Sequence, residues 1–147
     1  MDKMFYYFNE TYGFPTFVYI GNDRAVMEKE VSKKPLIWDK HDFRKFLEDM
    51  EPTINSTGGV TTTLRTDEGC FVAFVWIPEY EGISGHEVLT HELGHVAHFV
   101  LKDRGWTDFA NVDVFHSYLY LHGELYRKML TDIEKAQKKS KKSRKKS

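Results

Sequence analysis

Apolar positions fall in short alternating runs near the N-terminus and recur at helical spacing later in the chain. Phe14 to Ile20 reads as a strand closed by the turn Gly21-Asn22-Asp23. Phe5 to Phe8 reads either as a further strand or as a frayed end. The segment from Ala25 to Trp38 predicts one more strand, ending in Leu36-Ile37-Trp38, with Pro35 restricting its entry to an edge. Asp39 then looks like an N-cap, and Asp42 suits the first turn of a helix. Phe43, Phe46, Leu47 and Met50 make a core-facing stripe, and the helix is expected to stop before Pro52. After a loop at Asn55–Gly59, Val60–Arg65 and Cys70–Ile77 predict a hairpin turning through Thr66-Asp67-Glu68-Gly69. The second arm is apolar on both faces and should be buried.

Ser84 and Glu87 form a capping-box pattern that predicts a helix from about Gly85. Val88, Leu89, Val96, Phe99 and Val100 supply its core side, and Gly105 is a plausible left-handed stop. A final helix lies within about Val114 to Ala136. The segment beyond has no apolar face and is expected to be disordered. The pattern predicts an α+β fold: a small, mainly antiparallel sheet, one helix before its last hairpin, then an active-site helix and a C-terminal helix. The expected organisation is a domain over 1–134 and a basic tail over 135–147.

Composition narrows the class. The chain has 147 residues, 41% hydrophobic and 29% charged, which suits one domain with its own core. No apolar run approaches a membrane span, and the N-terminus lacks the marks of a signal peptide. Cys70 is the single cysteine, so no intramolecular disulfide or cysteine zinc ribbon is available, and a cytoplasmic location fits. Cys70 itself reads as a small core residue.

The net charge of −1 hides an asymmetry. Residues 135–147 carry eight cations and no acid: Lys135, Lys138, Lys139, Lys141, Lys142, Arg144, Lys145 and Lys146. Removing these from the 21 Lys and Arg leaves 13 against 22 Asp and Glu, a formal −9 for residues 1–134. Seven of the eight, from Lys138 on, are candidate contacts for a nucleic-acid backbone without base readout. The tail equally fits a solubilising segment that folds back on the acidic body.

The chemistry lies in His91-Glu92-Leu93-Gly94-His95 on the predicted helix. Two histidines four apart share a helix face and can grip one Zn²⁺. Glu92 beside them is placed to take a proton from a zinc-activated water attacking a peptide carbonyl. A catalytic zinc needs a third protein ligand. Helical phase puts His122 on one face with Phe115, Tyr118, Leu125, Met129 and Ile133, and turns Glu124 toward solvent. His98 is displaced along the helix axis, and reads as core or as support for a ligand.

His91-Glu92-Leu93-Gly94-His95 together with His122-Gly123-Glu124-Leu125-Tyr126-Arg127-Lys128-Met129 resembles the SprT-like zinc metalloproteases, the group that includes Spartan. The resemblance spans roughly residues 70–133. It implies zinc bound by His91, His95 and His122, with Glu92 as catalytic base in an endopeptidase, and it suggests substrates held on DNA. The gap between His95 and His122 is longer than that group commonly shows. His-Glu-Leu-Gly-His is also similar to the ImmA/IrrE group, in which a glutamate is the third ligand; Glu124 would then take that role. The resemblance further implies that the strand before the active-site helix borders the cleft. The alternative function is a non-catalytic, zinc-stabilised protein that binds DNA or a protein partner.

Overall fold

The computed structural model describes residues 1–33, 40–66 and 69–147. Its elements are β1 (Lys3–Asn9), β2 (Phe14–Ile20), α1 (Arg24–Ser32), α2 (Lys40–Thr57), β3 (Val60–Arg65), β4 (Phe71–Ile77), α3 (Gly82–Asp103) and α4 (Val112–Lys146). The fold is α+β. One four-stranded sheet has the order β1-β2-β4-β3. β1 runs antiparallel to β2 and β3 antiparallel to β4, while the central pair β2 and β4 is parallel. No helix among the described residues is long and apolar enough to cross a membrane.

The parallel centre explains the composition of its strands. Side chains of a strand alternate between faces, and here both faces are covered by helices, so an inner strand has no wet side. Val72 to Ile77 are all buried. Ala73, Val75 and Ile77 pack under α3 and α4 with Phe14, Val18 and Ile20. Val72, Phe74 and Trp76 pack on the other face with Phe17, Tyr19, Met27, Phe43, Leu47 and Met50. Trp76 anchors the turn after β2, its indole Nε1 donating to the Gly21 carbonyl at 2.8 Å.

Several sequence expectations need correction. Residues 24–32 form helix α1, capped by Asp23, whose carboxylate accepts from the Ala25 and Val26 amides. Two helices therefore precede the last hairpin. The strand end expected at Leu36–Trp38 and the Asp39 cap lie outside the described residues, as do the Asp42 side chain and the turn residues Asp67 and Glu68. Helix α2 continues through Pro52 to Thr57. Proline's fixed φ is itself helical, and its cost is one lost backbone bond together with crowding of its ring against the carbonyl four residues back. Thr57 Oγ1 donates to the Thr53 carbonyl at 2.9 Å, and Gly58 turns out of the helix at φ 74°. Cys70 is exposed, because the buried run starts only at Val72.

Helix α3 begins at Gly82 after Glu81, without a side-chain cap bond, so Ser84 and Glu87 do not form the expected box. Its end is as expected. Gly105 has φ 80°, and its amide donates to the Lys102 carbonyl while that of Trp106 donates to Leu101. This pairing is a Schellman stop. Asn111 caps α4.

Helix α4 does not end near Ala136 but runs to Lys146, so the segment expected to be disordered is helical. Leu121, Leu125, Met129 and Ile133 are buried and fix the first part of the helix. Beyond Ile133 there is no glycine, proline or β-branched residue, and Ala, Gln, Lys and Arg are good helix formers. Extending an anchored helix avoids nucleation, and cations at its C-terminus favour the dipole.

Candidate metal centre

His91 and His95 project from one face of α3, with their Nε2 atoms 3.1 Å apart and their rings nearly perpendicular. Two imidazole nitrogens bound to one tetrahedral zinc at about 2.0–2.1 Å would lie roughly 3.3 Å apart. The spacing therefore fits two ligands of one ion. Both rings face a cavity of about 860 Å³ between α3 and α4, within the usual range for ligand sites. Its walls also include His98, Phe109, Phe115, Tyr118 and His122. Phe109 stacks edge-on against Tyr118 and tilts over His98.

Gly94 explains how α4 comes so close. A Cβ built there would lie 3.1 Å from Tyr118 Oη and 3.8 Å from the His122 ring. The missing side chain leaves a cradle that Tyr118 and His122 occupy.

His122 lies on the cavity wall, at the margin of the core rather than in its middle. The buried stripe is Leu121, Leu125, Met129 and Ile133, one position round the helix from His122, and Phe115 is 44% exposed. His122 Nε2 donates to the Thr90 carbonyl at 2.8 Å and lies 3.2 Å from Thr90 Oγ1. The same ring nitrogen is thus held by α3 rather than aimed at the His91–His95 pair. Among the described residues, no group of three or more His, Cys, Asp or Glu is assembled that could hold a metal. The donor chemistry fits zinc, with two converged imidazoles and a third on the same wall. In this structure the Nε2 of that third imidazole is engaged by Thr90.

Glu124 is not the solvent-facing residue that helical phase suggests. It points to the opposite side of the helix from His122, and that opposite side meets β1 rather than water. Tyr7 Oη donates to Glu124 Oε1 at 2.7 Å, and Asn9 Nδ2 donates to Oε2 at 2.9 Å. Burial pushes the Tyr7 phenol up to about 12, and its bond to Glu124 adds to the shift. Glu124 therefore ties α4 to the sheet. Sequence spacing alone carried no signal for Tyr7 and Asn9, which are about 115 residues away along the chain.

Glu92 is 4% exposed and turned toward β3 rather than into the cavity. Thr61 Oγ1 donates a short hydrogen bond to Glu92 Oε2 and also lies 3.1 Å from the Glu92 carbonyl oxygen. β3 is the last strand of the sheet, so among the described residues the unpaired edge beside the motif belongs to β3. Strand β4, the expected border of the cleft, is interior. Trp106 is half-exposed and meets Tyr12 edge-on.

The cations Lys138, Lys139, Lys141, Lys142, Arg144, Lys145 and Lys146 are all exposed on the end of α4. No protein-family model, curated protein or solved structure matches this chain.

Proposed function

We propose that this chain is a zinc-dependent endopeptidase, with His91, His95 and His122 holding the metal and Glu92 as general base. The observation that carries the reading is the 3.1 Å convergence of the His91 and His95 nitrogens at a cavity, one residue from a buried glutamate. Zinc held there would polarise a peptide carbonyl and acidify an attacking water. Glu92 takes the proton from that water and returns it to the departing amine. The free edge of β3 suits backbone pairing with an extended peptide, and it lies on the side to which the Glu92 carboxylate turns. Phe109, Phe115 and Tyr118 offer apolar surface to a side chain beside the cleaved bond.

The exposed cations at the end of α4 favour a second reading: a non-catalytic, zinc-stabilised DNA- or protein-binding protein. Metal analysis combined with cleavage of a denatured protein separates the two. About one zinc per chain and cleavage stopped by a chelator are expected. Full zinc loading without cleavage selects the second reading, and a folded chain that takes up no zinc overturns both.

The exposed cations at the end of α4 support a sequence-independent DNA contact as the partner interaction. Affinity for duplex should fall steeply with salt, with a log–log slope of at most about −6 to −7 for seven cations at roughly −0.9 each. A chain ending at Glu134 should lose this binding and keep its zinc, because the last buried side chain of α4 is Ile133. Equal binding by the shortened chain would remove the tail from the interface.

A further inference from the structure

Glu92 is held by a residue on another element. Successive side chains of a strand point to opposite faces: Val60 and Leu64 of β3 pack toward α1 and α2, so Thr61, next to Val60, faces α3. There its hydroxyl meets both the carboxylate and the backbone carbonyl of Glu92. The strand is itself fixed, since Thr61 sits opposite Val75 in the β3–β4 ladder. On the other side the carboxylate is walled by Gly59. A Cβ at Gly59 would lie 3.1 Å from Glu92 Cγ, 3.2 Å from Oε1 and 2.7 Å from a Val88 methyl. The backbone thus closes on one flank of the carboxylate, and one donated hydrogen bond fixes the other.

We propose that Thr61 is a positioning residue for Glu92, fixing the direction of its carboxylate through Oε2 while the Gly59 backbone confines the Oε1 side. A glutamate on a helix keeps freedom about its side-chain torsions, and a misplacement of about 1 Å can cost on the order of 100-fold in rate. A buried carboxylate also needs a donor if it is to stay in place. Thr61 supplies both requirements from a rigid strand. The edge of β3 that suits substrate pairing then also carries the group that orients the base. The proposal rests on the peptidase reading above.

The test compares Thr61→Val, which keeps the shape and removes the hydroxyl, with Thr61→Ser, which keeps the hydroxyl. Full-length zinc-loaded protein is assayed for peptide hydrolysis, zinc content and melting temperature. Thr61→Val should lower kcat about 10- to 100-fold, with KM and zinc content unchanged. Thr61→Ser should retain kcat within about threefold of the parent. Parental kcat in Thr61→Val overturns the proposal and leaves the peptidase reading standing. Equal losses in both variants, tracking a fall in melting temperature, also overturn it, since the hydroxyl would then not be the cause. No hydrolysis by the zinc-loaded parent overturns the peptidase reading and the positioning role together.

Discussion

Replacing Glu92 with glutamine should reduce peptide hydrolysis by about 10²- to 10⁴-fold, the usual worth of a general base, while zinc content stays near one per chain. Glutamine has nearly the same shape, and its amide oxygen can still accept from Thr61, so the buried site is not left with an unpaired hydroxyl. It cannot take a proton from water at neutral pH. Zinc content and circular dichroism on the same preparation separate lost chemistry from lost structure. Undiminished hydrolysis in Glu92→Gln would falsify the assigned mechanism.

The second large effect concerns the ligand set. His91→Ala, His95→Ala and His122→Ala should each weaken zinc binding by more than about 100-fold, beyond the 10- to 100-fold typical of residues that only support a ligand. Glu124→Ala should change zinc affinity by less than tenfold. It should instead lower stability by about 1–3 kcal/mol, because Asn9, 1% exposed, and Tyr7 both lose their acceptor. Competitive zinc titration and thermal unfolding of the four variants read the two effects separately. Strong zinc loss in Glu124→Ala with little in His122→Ala would make Glu124 the third ligand.

The parts of this fold that were legible in the sequence are those where periodicity and burial agree. β2 was visible as an apolar run because it is covered on both faces. The β3–β4 hairpin was visible because β4 is apolar throughout and a turn separates its arms. The stop of α3 at Gly105 follows from one residue's tolerance of positive φ. Helix α1 is not legible because only Met27 and Val31 of its nine residues are buried, too few to print a helical stripe. The helix of the tail leaves no mark in the sequence because a solvent-exposed helix needs no apolar face once a buried one has started it.

At the candidate site, the His91–His95 pairing was legible because i and i+4 meet on any helix. The surroundings were not, because they come from distant strands. Thr61 gave no sign that it faces Glu92, and Tyr7 and Asn9 gave none that they hold Glu124. A phase argument says where a side chain points on its own helix; it does not say whether water or another element is waiting there.

His122 and the cationic end of α4 belong to the same uninterrupted rod, and a helix advances about 1.5 Å per residue. Lys138 to Lys146 therefore stand roughly 24 to 36 Å along the axis from His122, at a set standoff. A loose tether would sample all shorter separations, whereas a rod excludes them. Whatever polyanion is held at the far end would be kept clear of the His91–His95 cavity. Only a chain protruding across that interval would come within range of it.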